Sequence, residues 1–283
     1  MRIAIIGMGN MGRAFAARAI EKGHQTTVWN RTPGRAAALV DKGAIEAGTR
    51  TAAVADAEVV VVVLADDVAV LDVCVGDDGI LASLEHGAVC ANVSTVSPET
   101  ARRLAELGPE GRVLDSPVMG SPQMIAGGLG SFLIGGPSPA IAALEPLWSD
   151  LGSGYTHCGG VGTGATMKIL LNSLLITGVA SLAEAIATAR QQGISDEFLR
   201  NILVESPVIS LTSNLRFDSL LNPAHPGWFS PALARKDLRL AIDLAEETGV
   251  GVRIGPAAAA LLTTVVEAGE EWPDFAAVIE ALS

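Results

Sequence analysis

Three stretches of this sequence combine residue types that can do chemistry. The first is Gly7-Met8-Gly9-Asn10-Met11-Gly12, a GxGxxG motif. It follows an apolar run, Arg2 to Ile6, that reads as a strand, and it opens a segment, Met11 to Lys22, that reads as a helix stopped by Gly23. That context gives the motif its meaning. Gly7 permits a tight turn, Gly9 lets the backbone approach a pyrophosphate, and Gly12 lets the helix pack against the strand. The free N–H groups and positive dipole end of the helix then favour phosphate. The second stretch is Trp29-Asn30-Arg31-Thr32, with Arg35 after it, at the end of a strand over Thr26 to Trp29. A site for NAD ordinarily has an acid there to take the ribose hydroxyls. No carboxylate stands at this point, and two guanidiniums could hold a 2′-phosphate, so NADP(H) is expected and NAD less so. The third is Lys168 with Asn172, spaced to share one face of a helix whose continuation, Ile169 to Ala183, carries no charge.

The elements that must position these groups are legible in outline. Glu58 to Leu64 contains an unbroken run of valine, Val59 to Val63. A β-branched run apolar on both faces suits a parallel strand covered by helices. Ala88 to Val93, Arg112 to Val118, Ser131 to Ile134 and Tyr155 to Cys158 read as further strands. Ser97-Pro98-Glu99 starts a helix with a capping hydroxyl, a proline at the first helical position and an acid at the positive end. Alternating strand and helix predicts an α/β fold with a doubly wound parallel sheet. After Gly159-Gly160-Val161-Gly162 the strand signals stop. Thr163 to Gln192 reads as one long helix ended by Gly193, and helices follow from Ser195, over Phe229 to Glu247, Pro256 to Ala268, and Asp274 to Leu282. The expected domains are 1–161, binding the nucleotide, and 162–283, all-helical, joined by the long interdomain helix.

Composition narrows the function. The chain has 283 residues, 49% hydrophobic and 18% charged, enough for real cores. Its net charge of −12 would repel a phosphate backbone, and 4% aromatics supply few stacking faces, so nucleic acid is not an expected partner. Cys74, Cys90 and Cys158 fit no zinc or CxxC spacing, and the histidines show no ligand spacing, so no metal is expected. The odd thiol count suits a reducing cytoplasm, with the cysteines as small core hydrophobes. The charge-free stretch Ser116 to Leu144 is broken by prolines and glycines, so no membrane span is expected there.

Gly159-x-x-Gly162-x-Gly164-x-x-x-Lys168-x-x-x-Asn172 resembles the signature of the β-hydroxyacid dehydrogenase family, which includes 3-hydroxyisobutyrate dehydrogenases and glyoxylate/succinic semialdehyde reductases. Asn92-Val93-Ser94-Thr95-Val96-Ser97-Pro98 is similar to that family's turn beside the nicotinamide. Asp115-Ser116-Pro117-Val118 with Gly120 is similar to its substrate loop, and Lys236-Asp237-Leu238 to its C-terminal motif. The likeness runs along the whole chain in order. It implies a Rossmann N-terminal domain, a helical C-terminal domain of the 6-phosphogluconate dehydrogenase type, and an active site at the start of the interdomain helix. Lys168 would be the catalytic acid/base with Asn172 beside it. Ser94 and Asn172 would meet the substrate. Leu64, Ala65, Thr95 and Lys236 would lie near the cofactor, Thr95 against the nicotinamide.

The implied activity is NADP-dependent interconversion of a small β-hydroxy acid and its semialdehyde. Imine reduction, which shares this architecture but ordinarily lacks the lysine, and a non-catalytic dinucleotide-binding module are the alternatives. A lysine in the first turns of a helix faces the positive dipole end. Half-buried and close to an oxidised nicotinamide, it is expected to have a depressed pKa suited to proton transfer. In the substrate loop the resemblance leads one to expect Ser-Gly-Gly, and Met119, Gly120 and Ser121 stand instead. A thioether cannot donate a hydrogen bond, so the carboxylate-bearing substrate would rely on Gly120 and Ser121 in a greasier pocket suited to something larger than glyoxylate. The apolar length of the long helix predicts a homodimer or homotetramer.

Overall fold

A computed structural model describes residues 1–282. The chain divides into two compact units, Met1–Lys168 and the residues from Ile169 on. The division falls inside the long helix, where the sequence reading had placed it just before that helix.

The first unit is built on a sheet whose strands are β1 (Arg2–Ile6), β2 (Gln25–Trp29), β3 (Ile45–Glu46), β4 (Val59–Val62), β5 (Val89–Asn92), β6 (Val113–Asp115), β7 (Val118–Met119), β8 (Ser131–Gly135) and β9 (Tyr155–Gly159). Their spatial order is β3-β2-β1-β4-β5-β6-β8-β9, with β7 following β6 along the same edge of β8. From β3 to β6 every pairing is parallel. β8 then runs antiparallel to β6 and β7, so the parallel sheet read from the sequence ends in a mixed margin. The expected single strand Arg112 to Val118 is broken in two at Ser116-Pro117. A proline has no N–H to give a ladder, so the strand is interrupted there, and β7 resumes along the same edge of β8 in the antiparallel register that β6 begins.

The helices of this unit are α1 (Asn10–Glu21), α2 (Ala37–Val40), α3 (Arg50–Val54), α4 (Asp67–Cys74), α5 (Pro98–Leu107), α6 (Pro122–Ala126), α7 (Ser138–Ala143), α8 (Glu145–Leu151) and the beginning of α9 (Thr163–Gln191). They cover both faces of the sheet. Ile3, Ile5, Val59, Val61 and Val89 pack with Phe15 and Trp148 on one side. Ala4, Ile6, Val60, Val62 and Cys90 pack with Val54, Val70 and Leu104 on the other. Two-sided burial is why the valine run carries no polar alternation. Cys74 and Cys90 are core residues as expected, whereas Cys158, on the margin strand β9, is only half-buried.

The second unit is helical: the remainder of α9, then α10 (Asp196–Leu203), α11 (Leu211–Asn214), α12 (Phe217–Leu221), α13 (Pro231–Glu247), α14 (Ile254–Glu267) and a closing 3₁₀ segment, Phe275–Leu282. Its core joins Ile176, Val179, Ala183 and Ile186 of α9 to Leu238, Leu262 and Phe275. By length and composition α9 could cross a membrane; one face of it, with Ile176, Val179 and Ala183, is buried in this core, and Leu174 on the helix is exposed. Arg216 lies over the Phe275 ring and bonds Asp274 at 3.1 Å, tying the closing segment to the unit.

The start of α9 is fixed by one side chain. Asp115, at the end of β6 and 2% exposed, accepts hydrogen bonds from Gly162 N (2.9 Å, on Oδ1) and Ala165 N (2.7 Å, on Oδ2). These are helix-start donors that would otherwise lack partners. The approach is close enough to dictate Gly164. A Cβ there would lie 2.5 Å from Leu133 O and 2.9 Å from Asp115 Oδ2. Burial pushes the Asp115 carboxyl up to about 6, against the downward pull of the surrounding backbone N–H groups.

Asp115→Asn is expected to cost about 1–3 kcal/mol of stability, because the amide turns an NH₂ toward a backbone N–H donor. The folded pKa of Asp115 lies above its unfolded value. Its proton-linked stability is therefore full below about 4 and is lost as pH rises through about 6. The gap between wild type and variant, measured by urea unfolding from pH 4 to pH 7, should narrow with rising pH. A gap that widens would show that the N–H groups outweigh burial.

Candidate active site

In the first unit the groups singled out from the sequence lie at the C-terminal ends of the parallel strands, where open α/β sheets hold ligands. The turn after β1 is the clearest case. Gly7 has φ +103°, and a Cβ on it would lie 2.2 Å from Val63 O; a Cβ on Gly12 would lie 1.8 Å from Gly7 O. Packing alone requires glycine at both. Gly9 is different, because a Cβ there would meet nothing within 4 Å and its φ of −72° suits any residue. The space above Gly9 is a cradle that a side chain would fill and a pyrophosphate fits. Gly9 is also the N-cap of α1 and offers no side-chain cap, so the helix-start N–H groups are left to a ligand.

The end of β2 carries Asn30, half-buried, and the exposed Arg31, Thr32 and Arg35. Asn30, expected among the cofactor-binding residues, has partners within the protein. Its Oδ1 accepts from Met8 N at 2.9 Å and its Nδ2 donates to Thr32 O at 2.9 Å, so it ties this turn to the glycine turn. Arg31 lines a cavity of about 700 Å³ with Trp29, Pro33, Glu46 and Arg50. Glu46 went unnoticed in the sequence because it comes from β3; its Oε1 accepts from Gly34 N at 3.1 Å.

Beyond β4, Leu64 is half-buried and Ala65 exposed. Leu64 Cδ2 would be 2.9 Å from a Cβ on Gly7, so it abuts the glycine turn. Ser94, which the resemblance places against the substrate, is engaged with backbone. It is 3% exposed, its Oγ accepts from Leu64 N at 2.9 Å and donates to Val62 O at 3.3 Å, and it clamps the ends of β4 and β5 together. Thr95, next along, is half-buried. Ser97 caps α5 and bonds Asp67 Oδ1 through both N (2.9 Å) and Oγ (2.6 Å), fixing the Thr95 turn to the start of α4.

Met119, at the end of β7, is half-buried, and Gly120 after it is exposed with φ +145°. Ser121 is the N-cap of α6, its Oγ accepting from Met124 N at 3.2 Å; the hydroxyl keeps its proton for another acceptor. Met124 is 39% exposed, so two thioethers border this loop. Lys168, half-buried, follows the Asp115-anchored start of α9 by about one turn.

In the second unit Asn172 and Lys236 converge on one carboxylate that sequence reasoning passed over. Asp237, 3% exposed, accepts from Asn172 Nδ2 at 2.6 Å and pairs with Lys236 Nζ at 2.6 Å. The only sign in the sequence was an acid next to a lysine in the Lys236-Asp237-Leu238 motif. Among the described residues no group of three or more His, Cys, Asp or Glu is placed to hold a metal ion.

Comparison with known proteins agrees with this geometry. Residues 2–160 match the family described as the NAD binding domain of 6-phosphogluconate dehydrogenase. Residues 162–282 match the NAD-binding domain of NADP-dependent 3-hydroxyisobutyrate dehydrogenase. The chain is 31% identical to the 3-hydroxyisobutyrate dehydrogenase of Pseudomonas aeruginosa over 98% of its own length and 96% of that protein. The solved structure of the Mycobacterium tuberculosis 3-hydroxyisobutyrate dehydrogenase with L-serine matches with a TM-score of 0.85 at 27% identity, over 100% of this chain and 99% of that one. The reductive aminase of Aspergillus terreus, solved with NADPH and ethyl-5-oxohexanoate, matches less closely, with a TM-score of 0.64 at 27% identity over 100% of this chain and 99% of that one. The chain belongs to the β-hydroxyacid dehydrogenase family and is an NAD(P)-dependent oxidoreductase acting on CH–OH groups.

Proposed function

We propose that the enzyme interconverts a short β-hydroxy acid and its semialdehyde, with NADP(H) preferred and Lys168 as the acid/base. The observation that carries this reading is Lys168 itself, held on a helix whose start Asp115 fixes, with Asn172 one turn further along. When bound, the nicotinamide cofactor supplies or accepts the hydride. Lys168 gives the proton to the carbonyl oxygen in reduction and takes it from the hydroxyl in oxidation. Asn172, its Nδ2 committed to Asp237, turns its Oδ1 to the remaining side as an acceptor for a substrate hydroxyl. Gly120 N and the Ser121 hydroxyl are the donors for the substrate carboxylate, and Met119 with Met124 favours a chain longer than that of glyoxylate. The net charge of −12 and the odd thiol count fit a cytoplasmic enzyme of small molecules rather than of nucleic acid or membrane.

Lys168→Ala should leave cofactor affinity nearly intact and cut turnover by roughly 100-fold or more. The measurement is NADPH oxidation with semialdehyde acids of increasing chain length, ketones and cyclic imines. Turnover of imines alone, or wild-type turnover in a folded variant, would overturn the assignment.

NADPH should be preferred to NADH on the order of tenfold or more, from a charge-assisted contact of Arg31 with the 2′-phosphate. Arg31→Asp should reverse the preference in kcat/KM. Equal values for the two cofactors in the wild type would remove the claim.

We also propose at least a homodimer. Leu174 is 72% exposed on α9, Phe198 58% and Ile202 56% on α10, and Leu211 78% on α11. An apolar set of this kind marks an interface. Light scattering should give a multiple of the 29.0 kDa chain mass; a single-chain mass at micromolar concentration would contradict it.

A further inference from the structure

We infer that Arg13, which none of the sequence motifs assigns, is a cofactor-binding residue. Its guanidinium prepares the Gly7–Gly12 turn for an anion and acts on the pyrophosphate, the part common to NAD and NADP. The inference rests on the placement of the pyrophosphate at that turn.

The first turn of a helix favours acids and disfavours cations. α1 has no acid in its first turn, and Arg13 follows directly on Gly12 instead. The side chain folds back over the turn rather than extending into water. Nη1 donates to Met8 O at 2.8 Å and Nη2 donates to Asn10 Oδ1 at 2.8 Å. No ion pair among the described residues involves Arg13, and Glu21, the one acid of α1, is taken by Arg18. An always-charged group is therefore held at a phosphate-binding turn with no protein carboxylate to balance it.

Its two contacts have a further effect. Met8 O and Asn10 Oδ1 are acceptor oxygens flanking Gly9, and each would repel a phosphate oxygen. Arg13 bonds both. With Oδ1 held toward the guanidinium, the Asn10 amide is left with its Nδ2 donors free to face a ligand. Met8 N is already spent on Asn30 Oδ1, which leaves the later N–H groups of the turn as the donors. The fork geometry makes this a role for arginine, while its charge is one that lysine shares in part.

The test uses the full chain and the dissociation constants of NADP⁺, NAD⁺ and 2′-AMP, which lacks the pyrophosphate. Arg13→Gln should weaken NADP⁺ and NAD⁺ by the same factor, about tenfold for one charge-assisted contact, and leave 2′-AMP unchanged. It should also flatten the dependence of dinucleotide affinity on salt, and Arg13→Lys should recover part of the loss. Thermal unfolding confirms that each variant is folded. The inference is overturned if both dinucleotides stay within twofold of wild type, or if the loss is confined to NADP⁺. It is equally overturned if the loss comes with unchanged salt dependence and no relief by lysine, which is the behaviour of a mere brace. Gly9→Val separates this from the underlying placement, since the fold has room for a side chain at Gly9. If that variant binds dinucleotide normally, the pyrophosphate is not at the turn and the role of Arg13 goes with it. If it blocks binding while Arg13→Gln does not, the turn stands and Arg13 alone is excluded.

Discussion

The Asp115 carboxylate, buried between the end of β6 and the start of α9, is the contact on which the proposed chemistry depends. An ionised carboxylate in such a place is expensive unless it is met by donors, and here the first N–H groups of a helix meet it. Each partner satisfies a need of the other: the helix has donors without acceptors, and the acid has charge without solvent. The residue types around it follow from that fit. Gly164 admits no Cβ, and a Cβ on Gly135 would lie 2.4 Å from Asp115 Oδ1. A helix start held this tightly leaves little freedom for the backbone one turn on, which carries Lys168. Proton transfer is sensitive to the position of the donor atom, so a rigid anchor beneath the lysine is the physical condition for its role.

The opposite arrangement stands at α1. There the protein supplies neither a carboxylate nor a capping side chain, and the N-cap is a glycine with open space above it. The starts of α9 and α1 thus differ in kind: that of α9 is filled from within and serves structure, and that of α1 is left open. Glycine has a different cause at each position of the motif. Gly7 and Gly12 are demanded by backbone oxygens that any Cβ would overlap, whereas nothing in the protein demands Gly9. A glycine that packing does not require, at a helix start without a cap, points to a ligand more directly than the motif does.

These distinctions separate what the sequence could reveal from what it could not. The valine run Val59 to Val63, the glycine turn and the long helix were legible because each is a local pattern with a local cause. The break at Ser116-Pro117 was signalled by the proline, but the antiparallel pairing of β6 and β7 with β8 is a long-range choice that no local pattern encodes. Side-chain commitments were the least legible. Asn30 and Ser94 carry polar groups suited to a ligand, and both spend them on backbone from distant segments, Met8 in one case and Val62 with Leu64 in the other. Glu46 enters the surroundings of Arg31 from a two-residue strand that the sequence pattern did not suggest.

The acids within the family-like motifs make the same point from the side of energetics. Asp115 in the substrate-loop motif and Asp237 in the C-terminal motif stand among residues that could do chemistry, yet each is almost wholly buried and fully engaged. Asp237 in particular cannot act at a distance from Lys236 and Asn172. At 2.6 Å from both, it sets the rotamer of the amide and the reach of the ammonium together. A lysine beside a buried carboxylate is not the solvated charge that its neighbours Arg235 and Asp237 would suggest in a linear reading. Desolvation makes the pair expensive to separate, so whatever Lys236 contacts must be reached with its partner still in place. The geometry of Asn172 is constrained in the same way. Its Nδ2 is held by Asp237, and the choice between the two ends of a symmetric-looking amide is made by an acid on another helix.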